Sequence, residues 1–367
     1  MAPLAAASGS DDTEVFVLSR PHGTVRAHGR VASFDDVTSA GDALRSGAVD
    51  AIVGAIPFDV AGRAALIAPA SLVRSTEPVT GAPAPAHRVV EQTLRPTAVE
   101  HRDRVADVVK RIVDGEAEKV VLARSMDLRV EPAVEVPDLL SAFAHGNAEH
   151  NAFAVALGAA GWLVGSTPEL LLRKEGREVT CRPYAGSAPR SDDPELDRAA
   201  ADSLAASVKD RAEHAFVVDY LRDRLAPLCA DLDVPTEPEV RSTGEIWHLA
   251  TPIRATLRDE TITALDLAVA LSPTPAVCGT PSDVAAQIIA EIEGDRGLYG
   301  GTVGWCDADG DGEWMVTIRC LELSADGHSL RTWAGGGIVA QSDPQAELDE
   351  TTAKFRTVRN ALGLDDA

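Results

Sequence analysis

Short apolar runs separated by turn residues dominate the first 70 residues of the chain, for example at 14–18 and 51–55. Runs of this kind predict strands with few helices. From 98 to 115 the apolar residues recur at helical spacing, and a buried strand is predicted to begin at Lys119. The segment 76–87 is rich in proline, glycine and alanine, and it divides an N-terminal portion from the rest of the chain.

The remainder of the chain mixes strand and helix patterns without a regular βαβ alternation. Residues 151–164 and 169–173 predict a hairpin that turns at 165–168, whereas 197–228 has the length and periodicity of one long helix. A final helix is expected from about 344 to 362. These patterns together predict an α+β fold.

The net charge of the chain argues against some classes of binding partner. The chain has 367 residues, of which 45% are hydrophobic, so it can bury a large core. Lys and Arg number 34 against 57 Asp and Glu, which gives a formal net charge of −23 and argues against nucleic acid or anionic membranes as partners. An anionic substrate would therefore need local positive charge or a bound cation in its cleft.

Cysteine usage and the absence of a long apolar run indicate the compartment. The five cysteines are odd in number and form no C-x-x-C pair, which argues against a zinc site or a disulfide framework. No stretch of ~20 apolar residues is present, and the start of the chain lacks the basic and apolar regions of a secretion signal. A soluble cytoplasmic protein is expected.

Two glutamates near the C-terminus suggest a cation site. Helical geometry places Glu347, Glu350 and Lys354 on one face, with neighbouring Cβ atoms ~5–6 Å apart. Two carboxylates in this arrangement can share a hard cation, and Glu213 in the long helix is a candidate third ligand for Mg²⁺. The alternative is that both helices carry solvated acidic faces.

Two further features point to anion binding. Gly335, Gly336 and Gly337 follow Trp333 and Ala334, and glycine lets backbone amides approach a ligand carboxylate. The alternative is a bulge or tight bend in a strand. Arg319 stands in an apolar segment that reads as a strand, where a buried guanidinium needs an anionic partner from the protein or from a substrate.

Lys119 and Glu169 are candidates for an acid/base pair. Burial lowers the pKa of an ammonium and raises that of a carboxyl group, which brings each towards the form that proton transfer requires. A buried salt bridge is the alternative. The acidic run at 307–312 resembles the start of a calcium loop, but its twelfth position is Ile318, so a hairpin turn is predicted there.

Seven motifs along the chain together resemble the chorismate-utilising enzymes, and most closely the isochorismate synthases. They are Glu118–Arg124 (EKVVLAR), Ser166–Lys174 (STPELLLRK), Pro183–Ser187 (PYAGS), Lys209–His214 (KDRAEH), Pro273–Gly279 (PTPAVCG), Tyr299–Cys306 (YGGTVGWC) and Gly335–Ile338 (GGGI). The resemblance implies a single large α+β domain of extended antiparallel sheets flanked by helices. Residues 1–90 would then be integrated into the same fold as the chorismate-binding core at 91–367, with 76–87 as an internal loop.

The resemblance also implies roles for individual residues. Lys119 matches the general base that activates water for attack at C2 of chorismate, and Glu169 matches the general acid that protonates the departing C4 hydroxyl. The matching Mg²⁺ ligands are Glu213, Glu347 and Glu350. The matching substrate-binding positions are Gly186, Ser187, His248, Ala276, Val277, Tyr299, Arg319, Gly336 and Lys354.

The same resemblance implies which reaction and which partners to expect. Lys119 favours water over ammonia as the nucleophile, so the expected enzyme is a Mg²⁺-dependent isomerase that acts as a monomer without a glutaminase subunit. Ala276 and Val277 favour isochorismate over pyruvate elimination, and a salicylate synthase is the alternative. A catalytically silent binding module is a further alternative, against which the presence of Lys119 and Glu169 argues. Ala188 and Ser272 depart from the family pattern, which leaves the local loop conformation open, and the product could feed either siderophore or menaquinone synthesis.

Overall fold

The computed structural model describes residues 12–242 and 246–364. Its strands are β1 (Glu14–Arg20), β2 (Gly23–His28), β3 (Ala32–Phe34), β4 (Ala51–Ile56), β5 (Ala65–Ala68), β6 (Ser71–Ser75), β7 (Arg88–Arg95), β8 (Lys119–Glu131), β9 (Ala152–Ala156), β10 (Trp162–Gly165), β11 (Leu170–Glu175), β12 (Glu178–Arg182), β13 (Tyr184–Pro189), β14 (Cys229–Asp233), β15 (Glu239–Ser242), β16 (Ile246–Ala250), β17 (Ile253–Leu257), β18 (Gly279–Thr280), β19 (Thr302–Asp307), β20 (Gly312–Val316), β21 (Cys320–Leu323) and β22 (Ser329–Ile338). Its α-helices are α1 (Val37–Arg45), α2 (Ala98–Val113), α3 (Val136–His145), α4 (Pro194–Ala206), α5 (Val208–Leu225), α6 (Ala264–Leu271), α7 (Ser282–Glu293), α8 (Pro344–Lys354) and α9 (Arg356–Ala361).

The described strands form two large antiparallel sheets and one small one. The first runs in the order β18-β8-β22-β21-β10-β9-β1-β2-β6, with β7 also paired to β8. The second runs β14-β17-β12-β11-β20-β19-β4-β5-β3, and the small sheet is β13-β16-β15. Strands that precede residue 90 therefore enter both large sheets, which agrees with the α+β expectation.

Apolar side chains from both large sheets share one core. Phe16 and Phe153 of the first sheet cluster there with Val303 and Met315 of the second. Helices α5 and α6 cover the outer face of the second sheet, and α2 and α7 pack near β8 of the first. All five cysteines are buried free thiols. Among the helices of residues 12–242 and 246–364, none has the length and apolar character of a membrane span.

Several local predictions are confirmed. Helix α2 covers the predicted segment and begins with a capping box, in which Thr97 and Glu100 each bind the other's backbone amide. Strand β8 begins at Lys119. The acidic run after β19 is the turn of the β19–β20 hairpin, as predicted.

The predicted hairpin around 165–168 is wrong. Strand β10 pairs with β9 and β21 in the first sheet, whereas β11 pairs with β12 and β20 in the second. The segment 166–169 therefore crosses from one sheet to the other. A turn signal between two apolar runs does not encode which sheet the second run joins, because both runs are buried.

The predicted long helix is two helices. Ser207 ends α4 and caps α5, where its side chain accepts a hydrogen bond from the Asp210 amide, and its extended backbone breaks the helical path. The apolar periodicity continues across Ser207, which is why the break was not predicted. The last predicted helix is likewise divided, at Phe355, into α8 and α9.

Candidate active site

A cavity of about 290 Å³ lies where β8 and β22 meet the small sheet and helices α5 and α8. Most of the predicted site residues line it: Glu169, Gly186, Ser187, Glu213, His248, Ala276, Val277, Tyr299, Arg319, Glu350 and Lys354. Three predicted residues do not line the cavity themselves, namely Lys119, Gly336 and Glu347. Each of them contacts a residue that lines the cavity or belongs to a strand that does. The fold thus brings together side chains from positions as distant as 169 and 354.

Lys119 lies beneath the cavity wall at the start of β8. It is fully buried, and its Nζ lies 2.8 Å from Oε1 of Glu213, which lines the cavity from α5. The buried salt bridge that the sequence left open is thus present, although its partner is Glu213 and not Glu169. This pairing fixes the lysine nitrogen next to the cavity.

Glu169 stands on the crossing between β10 and β11, and its side chain is buried. Burial raises the pKa of its carboxyl group to about 8, against the opposing effects of a backbone hydrogen bond from Tyr184 and the charges of Lys119 and Arg319. The predicted direction of this pKa shift is confirmed. At neutral pH the group is protonated and can donate a proton.

Arg319 does not lie in a strand, contrary to the sequence prediction. It occupies the connection between β20 and β21 with a φ of 50°, a left-handed conformation that is uncommon outside glycine. Its Nη2 lies 3.0 Å from Nε2 of His248. The apolar run on each side of Arg319 resembles one continuous strand in sequence, but the backbone turns there and directs the guanidinium into the cavity.

His248 is held as a neutral ring. Burial, Arg319 and Lys354 all lower its pKa well below the usual value, against a hydrogen bond with the Gly186 backbone. A neutral ring leaves Nε2 free to accept the hydrogen bond from the Arg319 guanidinium. His248 therefore orients Arg319 without adding a second charge.

Aromatic rings form part of the cavity wall. Tyr299 stacks on Trp333, with ring centroids 5.7 Å apart and an interplanar angle of 12°. Tyr184 meets His248 edge to face at 5.6 Å. These surfaces, together with Ala276 and Val277, suit a flat, partly apolar ligand.

The glycine run is a regular strand and not a bulge. Residues 333–338 of β22 pair with β8 without a register shift. A Cβ atom on Gly337 would lie 2.6 Å from Glu213 Oε1 and 2.7 Å from Lys119 Cε, and one on Gly336 would lie 3.0 Å from Glu347 Oε2. The absence of side chains therefore makes room for the charged groups of the site. Gly335 and Gly337 line the cavity, whereas Gly336 faces α8.

The two glutamates of α8 differ in environment. Glu347 is buried, its Oε1 accepts a hydrogen bond from Ser342 at 2.7 Å, and its Oε2 is buried without a partner in the described part of the chain. Burial, and then the charge of Glu350, raise the pKa of Glu347. Lys354 lies 2.8 Å from Glu350 and lowers the pKa of that carboxyl group.

The three glutamates have the donor chemistry that Mg²⁺ prefers, but each is close to a lysine. Glu213 pairs with Lys119, Glu350 with Lys354, and Oε1 of Glu347 lies 3.8 Å from Lys209 Nζ. Over residues 12–242 and 246–364, no group of three His, Cys, Asp or Glu side chains has an arrangement ready to hold a metal ion. The unpartnered Oε2 of Glu347 nevertheless fits a cation as its missing partner.

Sequence reasoning did not assign a role to Lys209, Tyr184 or Trp333, all of which line the cavity. Lys209 lies one helical turn before Glu213 on α5, and that spacing was a signal available from the sequence. Lys209, Arg319 and Lys354 together supply local positive charge in a strongly acidic protein.

Comparisons with known proteins agree on the family. Residues 66–363 match the family described as chorismate binding enzyme. MenF of Mycobacterium tuberculosis is 44% identical over 358 residues, which is 95% of this chain and 96% of that protein. Isochorismate synthase DhbC of Bacillus subtilis is 42% identical over 325 residues, covering 86% of this chain and 81% of that protein.

The architecture matches as well. The crystal structure of DhbC from Bacillus anthracis superposes with a TM-score of 0.89 at 37% identity, covering 96% of this chain and 97% of that one. This likeness confirms the expected fold of extended antiparallel sheets flanked by helices. Motifs, cavity and architecture all lead to one assignment: the chain belongs to the chorismate-binding enzymes.

Proposed function

We propose that the chain is an isochorismate synthase, which converts chorismate to isochorismate by adding water at C2 and removing the C4 hydroxyl. The observation that carries the proposal is a buried, protonated Glu169 that lines the cavity, together with Lys119, which is buried beside the same cavity and held there by Glu213. The relatives named isochorismate synthase support the same activity.

Substrate binding would use the cations of the cavity. Chorismate carries two carboxylates, and Arg319 would bind the enolpyruvyl carboxylate by charge-assisted hydrogen bonds, oriented by His248. Tyr299 would pack beside the ring on the support of Trp333. Gly186 and Ser187 of β13, Ala276 and Val277 would complete the walls.

Proton transfer would be divided between two residues. Lys119, in its neutral amine form, would take a proton from water as the oxygen bonds to C2 and the ring double bonds shift. Glu169 would give its proton to the C4 hydroxyl, which departs as water. One water molecule is consumed and one is released, so the product is an isomer, and solvent returns a proton from Lys119 to Glu169. Each residue would contribute ~10²–10⁴-fold in rate.

The proposal includes Mg²⁺ held by Glu213, Glu347 and Glu350. When bound, this ion would neutralise the ring carboxylate of chorismate and fix the orientation of the ring. Oε2 of Glu347 offers a free lone pair for it, and the glycines of β22 leave space beside the carboxylates. Because the nucleophile is water, the proposed enzyme needs no ammonia-delivering glutaminase, and we propose that it acts as a monomer in the cytoplasm.

Product identification tests the proposal. Purified protein is incubated with chorismate and Mg²⁺, without ammonia, and the products are separated by liquid chromatography. Isochorismate is expected as the main product, and a chelator is expected to abolish its formation. Salicylate and pyruvate as the main products would contradict the proposal and favour a salicylate synthase. Unchanged turnover in the presence of a chelator would contradict the metal requirement alone.

A further inference from the structure

Arg124 carries a buried charge that the proposed chemistry does not use. It lies on β8, the strand that begins at Lys119, and it is 2% exposed. Its Nη1 donates to the Thr352 hydroxyl at 3.1 Å, to the Thr351 hydroxyl at 3.2 Å and, at 3.4 Å, to the Leu348 carbonyl. All three acceptors belong to α8.

No carboxylate pairs with this guanidinium within the described ranges of the chain. Two other side chains interact with it: Phe355, whose ring centre lies 5.7 Å from the guanidinium carbon, and His101 of α2. Burial, Arg124 and Arg104 lower the pKa of His101 to about 4, so its ring stays neutral. The hydrogen bonds from Arg124 to α8 are therefore the main interactions that replace its hydrogen bonds to water.

Burying a charge without a counter-ion is unfavourable, and an apolar side chain would fill the same space with less loss of stability. A purely structural role would not need a guanidinium here. A guanidinium holds its N–H donors in a fixed planar arrangement. It therefore determines where the acceptors of its hydrogen bonds must lie.

Helix α8 packs both on α2 and on the glycines of β22. Glu347 and Thr351 of α8 lie over Gly336, where an added Cβ would meet Oε2 of Glu347 at 3.0 Å and Cγ2 of Thr351 at 3.8 Å. A glycine strand has no side chains to interlock with the helix, so the contact with β22 does not by itself specify the axial position of α8.

We propose that Arg124 is a positioning residue that fixes α8 along its axis and so places the carboxylates of Glu347 and Glu350 for a divalent cation. The turn that it binds, from Leu348 to Thr352, contains Glu350 and directly follows Glu347. This inference rests on the metal site of the proposed function. It extends that site by one residue on the strand that also carries Lys119.

Metal binding tested without turnover separates this role from simple stabilisation. Mn²⁺ replaces Mg²⁺, and free Mn²⁺ is titrated by electron paramagnetic resonance in the absence of chorismate. Arg124→Met is expected to weaken Mn²⁺ binding on the order of 10-fold, in the range found when partners of metal ligands are removed. Arg124→Lys, which keeps the charge and one donor group, is expected to recover part of that affinity.

Arg20→Met is the matched control, because Arg20 is also a buried arginine but pairs with Glu313, away from α8. It should lower the melting temperature and leave Mn²⁺ affinity unchanged. If Arg124→Met fails to fold, Thr352→Val removes an acceptor of the same contact and should weaken Mn²⁺ binding several-fold. Normal Mn²⁺ affinity in folded Arg124→Met or in Thr352→Val would overturn the positioning role.

The wild-type protein separates this inference from the function on which it rests. Wild type that binds no Mn²⁺ would refute the proposed metal site, and the positioning role with it. A different result would refute the positioning role alone. In that case wild type binds Mn²⁺, Glu347→Gln lowers the affinity, and Arg124→Met leaves it unchanged.

Discussion

The protonation state of Glu169 sets a quantitative expectation for the pH dependence of the reaction. With a pKa of about 8, roughly nine-tenths of this carboxyl group is protonated at pH 7. With its ordinary value of 4.5 the protonated fraction would be roughly 0.3%. Burial of Glu169 thus raises the concentration of the acid form about 300-fold at neutral pH. Above pH 8 the acid form, and kcat/KM with it, should fall about tenfold per pH unit.

The assay is isochorismate formation between pH 6 and 9.5 at constant ionic strength and saturating Mg²⁺. Wild type should show an alkaline limb with a midpoint near pH 8. Glu169→Gln should lose ~10²–10⁴-fold in rate and should also lose that limb, because glutamine does not titrate. A wild-type rate that stays constant to pH 9.5, or a Glu169→Gln variant that keeps the limb, would refute the assignment of Glu169 as the acid.

The same pKa shift predicts a change in stability of known sign. Because folding raises the pKa of Glu169, the folded state binds the proton more tightly, and stability is lost as pH rises from 4.5 through about 8. At pH 7 the penalty is (7 − 4.5) × 1.36, or about 3 kcal/mol. Glu169→Gln carries no such penalty. It should therefore unfold at higher urea concentration than wild type at pH 8, with the difference shrinking towards pH 5.

Three further changes test the site and its support. Lys119→Met removes the proposed base and should lower kcat by ~10²–10⁴-fold, measured by product chromatography, while a fold comparison by circular dichroism serves as the control. Gly337→Ala should reduce kcat more than Gly336→Ala, because the first Cβ would lie 2.6 Å from a carboxylate oxygen and the second 3.0 Å; equal effects would argue against the packing described. Glu313→Gln breaks the buried pair with Arg20 and should lower the free energy of unfolding by about 3–5 kcal/mol in urea titrations, with KM for chorismate unchanged.

Local features of the fold were predictable because local sequence determines them. Helix α2 has its apolar periodicity and its capping box within 17 residues, and β8 begins at Lys119, directly before an apolar run. The pairing of strands was not predictable in this way. The run before residue 165 and the run after residue 169 have similar patterns, but they join different sheets, since the choice depends on partners more than 100 residues away.

The residues of the site could be predicted from the motifs of the family, but not from the spacing of charged and apolar residues alone. Residue pattern alone left Glu347 and Glu350 as a possible solvated face and placed Arg319 in a strand. The left-handed backbone that turns Arg319 into the cavity has no signature in an apolar run. Lys209 and Trp333 were missed because a charged residue on a helix and an aromatic residue in a strand are ordinary features until the fold brings them to one cavity.

The triple glycine of β22 is best understood from what surrounds it. Glycine in the interior of a strand is destabilising by roughly 0.5–1 kcal/mol relative to alanine, so three in succession weaken β22 considerably. The long, regular pairing of β22 with β8 offsets that loss. In return, Tyr299, Glu347 and the ion pair of Lys119 approach the strand backbone more closely than any side chain would permit. The proposed base and the proposed metal ligand Glu347 are thereby held against a paired strand and not a loop, which limits their movement.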